Sequence, residues 1–359
     1  VDLYSKEIMQ HTNKILDKIK VYEIKILCFI AKNKIHDAII TALKCLKLLN
    51  TPLPLKPSKI QIVYILLRLK FIFKIKKVSD IKNLPEMTDP YKLAILRIGL
   101  MLGPPAYMSM PELYALLIFK MVHISVTNGN SPMSLPFYAG FGSILCGVQN
   151  DIETGYQFGK AALDLLKNMQ SREFECRTNV MAYAFTQHWK EHIADIGYAL
   201  QKNFNTGLET GEHEMASYSA FIYVSLLFHK GHNLKKVVIE ILKYEILIKK
   251  LNQNITLAHL HILLQTCDYY ISGFENISAL EGKWYSEKKM ISLHIAEKEY
   301  TTVFFILLNK LILAYLFYQY DNTAELSEDL KKYSANVIGL PTTVIFTFYD
   351  SLLNLAQYT

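Results

Sequence analysis

Catalytic motifs are what this sequence has least of. No GxxxxGK[ST] run occurs in its 359 residues, so no Walker A cradle for nucleotide phosphates can form within it. The HRD and DFG triplets of protein kinases are missing, and so is a β3-type lysine context. No GxSxG marks a nucleophile elbow. Cysteine is sparse: Cys28, Cys45, Cys146, Cys176 and Cys267 are odd in number, widely spaced and without a CxxC. That argues against a disulfide framework and fits a reducing, cytoplasmic setting. Glycine (15) and proline (11) are few and gather at a handful of breaks. Sparse breakers between long apolar periodic runs imply a mostly α-helical chain. Only 20% of residues are charged against 51% hydrophobic, too apolar for a disordered linker. The formal net charge of +7 is modest, and the lysines form no Arg-rich stripe. A solvated basic surface is expected, not a nucleic-acid reader. No run reaches the ~20 apolar residues of a membrane span. Phe304 to Tyr318 comes nearest and is interrupted by Asn309-Lys310. No signal peptide is evident, and a chain that opens on Val1 reads as excised from something larger.

What is present is helix after helix, organised around Met121 to Leu166. Asn128-Gly129-Asn130-Ser131-Pro132 is a strong break, because Gly and Asn accept positive φ and Pro cannot continue a helix. Phe137 to Val148 then alternates small and bulky residues. Gly140 and Gly142 each cost ~1 kcal/mol of helix propensity against Ala. Such glycines imply close approach of another backbone. Asn150-Asp151 makes a turn and N-cap, and Tyr156 to Leu166 repacks antiparallel.

The same plan extends both ways. Tyr4–Ile19, Val21–Ala31 and Ile35–Leu49 read as helices, with Ala38 and Ala42 at the close approach. Tyr91–Leu102 and Pro111–Ser125 pair around Gly103-Pro104-Pro105. Ser171–Trp189 reads as one long helix; Glu191–Thr210 and Glu212–His229 pair around Gly211. Gly273–Gly282 is the weakest region, and Thr343–Gln357 the last helix. The expected fold is all-α: a TPR-like α-solenoid of antiparallel helix pairs, each burying its face only against its neighbours. Residues 1–359 form a single repeat domain, with 1–80 and 81–359 as sub-blocks.

Several segments carry a resemblance: Leu84-Pro-Glu-Met-Thr-Asp89-Pro90, Lys120-Met121-Val-His-Ile-Ser125, Asn128-Gly129-Asn130-Ser131, Tyr138-Ala-Gly140-Phe-Gly142, Gly155-Tyr-Gln-Phe-Gly159 and His188-Trp189-Lys190. Together, and with Gly211 beyond them, they resemble the degenerate TPR-like helical region of very large signalling proteins. Those proteins resemble a serine/threonine kinase-like head, a predicted signal-transduction ATPase, this helical region, then often a GAF module and a sensor histidine kinase of the two-component type. The resemblance implies a non-catalytic region that relays signals and binds protein partners or flanking domains. ATP and Mg are then expected only in those flanking domains, with no cofactor here. It implies structural roles for Asp89, Pro90, Met121, Asn128, Gly129, Asn130, Tyr138, Gly140, Gly142, Gly155, Gly159, Trp189 and Gly211. The alternative is a ligand-sensing solenoid that takes a small molecule or peptide in a concave groove.

Few residues stand out as chemical candidates. His188 and His192 lie four apart, which on a helix puts both on one face, as in zinc proteases. A general-base Glu should follow the first His directly; Trp189 does instead, and no third ligand is evident, so structural or surface histidines are expected. His259 and His261 are two apart and diverge on a helix. Gly140-Phe-Gly142 lacks the third glycine of a dinucleotide loop. Ser58–Lys77 is apolar with a basic edge (Arg68, Lys70, Lys74, Lys76, Lys77). A membrane-surface helix has this look. So does a buried helix whose lysine stems reach outward, which is the expectation here. The 23 Tyr and 18 Phe imply inter-helix packing or, more sharply, an aromatic groove for a ligand.

Overall fold

In a computed structural model the chain is all-α. The structure describes residues 11–12, 14–32, 34–75, 77–273, 278–320 and 323–358. Among them run sixteen α-helices and four short 3-10 turns, with two isolated bridges and no strand. The first half comprises α1 (Ile15–Ala31), α2 (Ile35–Leu48), α3 (Lys59–Ile75), α4 (Pro90–Ser109), α5 (Pro111–Asn128), α6 (Leu135–Gln149) and α7 (Ile152–Met169). The second comprises α8 (Glu175–Phe185), α9 (Ile193–Thr210), α10 (His213–His229), α11 (Leu234–Lys250), α12 (Asn254–Ser272), α13 (Glu287–Ala296), α14 (Tyr300–Leu316), α15 (Thr323–Tyr333) and α16 (Pro341–Tyr358).

Successive helices pair: α1 with α2, α4 with α5, α6 with α7, α9 with α10, α11 with α12. The tightest pairing follows from glycine. A Cβ on Gly142 would stand 2.5 Å from the Gly155 carbonyl oxygen, and one on Gly155 would stand 2.6 Å from that of Gly142. The α6 and α7 backbones therefore touch, as Gly142 implied, whereas Gly140 meets only the Ile118 and Tyr114 side chains of α5.

Burial against neighbours alone does not describe the molecule. Helix α4 also meets α14 and the 3-10 turn Ser334–Val337. Asn336 Nδ2 donates to the Met108 carbonyl at 3.0 Å, and Thr301 Oγ1 donates to the Asn336 carbonyl at 3.0 Å. The C-terminal part of the chain thus returns to its middle. Two large cores result, one built from α1–α8 and the other from α8–α12, α14–α16 and the turn Ser334–Val337. Tyr107 and Met181 pack against both.

Four expectations need correcting. Residues 15–31 form one continuous helix, with no break at Lys20-Val21; half of the expected helix at Tyr4–Ile19 lies outside the described residues. Helix α4 does not stop at Gly103 but runs through Pro104 and Pro105 to Ser109. The long helix expected at Ser171–Trp189 is split: α8 ends at Phe185 and Gln187–Trp189 is a 3-10 turn. Helix α3 is not buried: only Leu69 is, while Ile60 is 82% and Phe71 66% exposed.

Candidate functional site

The prolines of α4 shape the site. Proline brings no N–H, so Pro104 and Pro105 leave the carbonyls of Leu100 and Met101 without their ordinary i+4 donors. Arg177, from α8, supplies one instead: its Nη1 lies 3.5 Å from the Leu100 oxygen. Gly103, one step before, leaves the wall thin, since a Cβ there would meet no atom within 4 Å.

Behind this stretch lies a cavity of about 130 Å³, at the seam between the two cores. Its lining is almost wholly apolar and includes Tyr107, Phe137, Val180, Phe185, Phe221 and Phe305. Two polar atoms among its lining residues are buried without a hydrogen-bond partner. One is the Tyr107 hydroxyl, the other His259 Nδ1. His259 is 4% exposed, with Nε2 2.9 Å from Thr302 Oγ1 and its ring against Phe221 and Phe305. Burial pushes its pKa down to about 3, with the His294 charge second, so the imidazole is neutral at pH 7.

Above the cavity opens a groove of about 900 Å³, which shares Leu100, Pro104, Met108, Arg177, Tyr218 and Ile255 with it. The groove is acidic in a chain that is basic overall. Glu23, Glu173, Glu212, Glu214, Glu297 and Glu299 line it against Arg97 and Arg177. Both arginines are engaged: Arg97 stands 4.0 Å from Glu23, and Arg177 Nε donates to Glu212 at 2.8 Å. Glu214 has a weaker partner, the Tyr218 hydroxyl, which donates to it at 3.3 Å. Burial raises the Glu214 carboxyl above the ordinary range, and Arg177 opposes that shift.

A second polar cluster sits at the groove edge. His294 Nδ1 is 2.6 Å from Glu299 Oε2, and its Nε2 is 3.0 Å from the Tyr285 hydroxyl. The three side chains thus form one hydrogen-bonded chain. Burial pushes the Tyr285 phenol well up, which keeps it protonated. Beside it, buried Glu287 pairs with Lys310 at 2.8 Å and accepts from the Leu280 N–H. Sequence reasoning missed both features. The acidic residues come from α1, the turn before α8, the α9–α10 turn, α10 and the turn after α13, so no linear motif announces them.

The sequence-predicted residues lie elsewhere and hold the scaffold. Asp89 N-caps α4, its Oδ1 accepting from the N–H of Tyr91 (2.8 Å) and Lys92 (3.3 Å), with Pro90 at the first helical position. Asn130 is a knot: Nδ2 donates to the Ile81 carbonyl, Oδ1 accepts from the Tyr138 hydroxyl, N–H donates to Pro85, and its carbonyl accepts from Met87, each at 2.7 Å. Gly129, at φ +106°, makes the approach possible, because a Cβ would collide with the Pro85 carbonyl oxygen. Asn128 caps the end of α5 through the Ile124 carbonyl. Met121 is buried beneath Gly99, Gly140 admits Ile118 and Tyr114, and Gly159 admits Thr186. Gly211 ends α9 in the left-handed region, and the Trp189 indole N–H is buried without a partner.

His188 and His192 do not share a helix face. His188 sits in the 3-10 turn with Nε2 2.7 Å from the Gly339 carbonyl; His192 N-caps α9, its Nδ1 accepting from the Ala194 N–H at 3.2 Å. No group of three potential metal ligands occurs among the described residues, nor does any helix there have the length and apolarity to cross a membrane.

No known family model matches the chain. It is similar to hybrid signal transduction histidine kinase G of Dictyostelium discoideum, with 25% identity over 147 residues. Those residues are 40% of this chain and 4% of that protein, so the chain spans only a small fraction of the relative it matches. The likeness is a distant one, to a signalling protein.

Proposed function

We propose that this chain is a non-catalytic, TPR-like regulatory region of a larger cytoplasmic signalling protein, a module that relays conformational change and docks flanking domains. The observation that carries it is the likeness to a hybrid histidine kinase. On this proposal ATP, Mg and the phosphotransfer chemistry belong to domains outside residues 1–359. Two structural features support it. Contacts such as Asn336–Met108 join segments 228 residues apart, the kind of physical connection a relay needs. The outer face of α3 offers Ile60, Tyr64, Leu67 and Phe71 to a partner. The test is made in the full-length protein that carries this region. Leu67→Glu with Phe71→Glu should change kinase output while the region keeps its melting temperature. Unchanged output would count against a docking role.

A second reading is favoured by the seam cavity: a small ligand fills it and biases the closure of the helical array. A ligand-dependent rise in melting temperature is its direct signature.

A further inference from the structure

We propose that the seam cavity and the acidic groove above it form one binding site for a small organic amine with a compact aromatic body. The inference rests on the ligand-sensing reading and names its ligand class. Cavity size comes first. An engineered apolar cavity of ~150 Å³ takes up benzene. The 130 Å³ here, ringed by Tyr107, Phe185, Phe221 and Phe305, therefore accommodates a single ring.

The inner end is set by His259. Its Nδ1 is buried in the lining with no partner, as is the Tyr107 hydroxyl. A buried polar atom left unpaired costs stability, and native interiors seldom keep one. A hydroxyl on the inner edge of the ring would supply the missing hydrogen bond once a small turn of the His259 or Tyr107 side chain bares that atom to the cavity.

The outer end is set by charge. Six glutamates face two arginines in the groove. Arg177 is already held by Glu212 and the Leu100 carbonyl, and Arg97 stands beside Glu23, so an anionic head finds no free cation. Glu214, in contrast, stands next to Tyr218 at the rim of the cavity with only a long phenolic hydrogen bond. An ammonium group arriving there gains a charge-assisted bond without displacing an existing ion pair.

Three probes that share one body and differ in head charge test this on the purified chain by calorimetric titration. They are tyramine, the neutral alcohol 2-(4-hydroxyphenyl)ethanol and 3-(4-hydroxyphenyl)propionate. Tyramine is expected to bind about tenfold tighter than the alcohol, and the acid weakest. Glu214→Gln should bring tyramine to within about threefold of the alcohol while leaving the alcohol unchanged. Gly103→Leu, at a position where a side chain meets open space, should block all three. Val180→Phe is the second filling variant, should the leucine before Pro104 disturb α4. Equal binding of all three probes overturns the amine class and leaves ligand sensing standing. Binding that survives both filling variants overturns the location. No binding of any probe at millimolar concentration overturns the proposal and removes the support for sensing as well.

Discussion

Helices α3 and α14 are both apolar around most of their circumference, and they meet opposite fates. In α14, thirteen of seventeen residues are buried, from Thr301 to Ala314. Helices α12, α13, α15 and α16 surround it, and α4 touches it from the other core. In α3 one residue of seventeen is buried, Leu69. Its inner face (Ile62, Ile65, Leu66, Ile72, Phe73) rests on the first core, chiefly through α5. Its outer face is left open at Ile60, Val63, Tyr64, Leu67, Phe71 and Ile75. At about 100° per residue those six fall on one stripe, opposite Leu69. α14 is the more apolar of the two on average, and the number and placement of charges account for much of the difference. α14 carries one cation, Lys310, and buries it against Glu287. α3 carries Lys59, Arg68, Lys70 and Lys74 around the stripe, and no Asp or Glu occurs between Asp37 and Asp80. A helix with several unpaired cations cannot sit at a core centre, because each would have to leave water without a partner. It can sit at an edge, with long stems lying on apolar surface and ammonium groups in solvent.

The largest effect that would break the comparison is truncation of one phenylalanine on each helix. Phe304→Ala removes a fully buried ring that contacts Phe346 edge-on at 6.0 Å, and should cost ~3–5 kcal/mol in urea unfolding. Phe71→Ala should change stability by no more than ~0.5 kcal/mol. Equal losses would mean that α3 is covered by something in solution.

Acid should act on the α14 side. His259 bonds to Thr302 of α14, and its pKa lies at about 3 folded against the ordinary 6.5. A depressed histidine contributes stability that is fully present above pH 6.5 and is lost as pH falls toward 3, because the unfolded chain binds the proton first. His188 and His229, each pushed down to about 4 chiefly by burial, act in the same direction. The melting temperature should therefore fall between pH 6.5 and 4. His259→Phe should flatten that fall. An identical pH profile in the variant would remove His259 from the account.

Much of the scaffold was legible and the site was not, for one physical reason. Helices are local. The expected spans 137–148 and 156–166 lie inside α6 and α7, and the Asn150-Asp151 turn falls where it was read, with Asp151 accepting from the Thr154 N–H. Where local rules misled, tertiary contact overrode them. Pro104-Pro105 signals a helix end, yet α4 continues to Ser109, with Arg177 standing 3.5 Å from one of the two freed carbonyls. The closing contacts His188–Gly339 and Asn336–Met108 span 151 and 228 residues, and no pattern along the chain encodes them. Asn130 was readable as a turn residue, but its bonds to Ile81 and Tyr138 were not, since Ile81 lies 49 residues back. The groove glutamates became a group only when the fold assembled them.

The smallest expected effect sharpens the comparison most. Leu67→Lys combined with Phe71→Lys converts the α3 stripe into a charged surface without touching its inner face. A helix whose outer face is mostly in water should tolerate this within about 0.5 kcal/mol, because most of the apolar surface removed is already solvated in the folded state. The same change should lower binding of a hydrophobic dye and any self-association seen by light scattering, since an exposed apolar stripe is a site for adventitious contact. A marked loss of stability that persists at high salt, where like-charge repulsion between the new lysines and Lys70 and Lys74 is screened, would point to burial of the stripe. Some other part of the chain would be resting on Leu67 and Phe71, and α3 would be a core helix like α14, with its lysines and arginine reaching past whatever covers it.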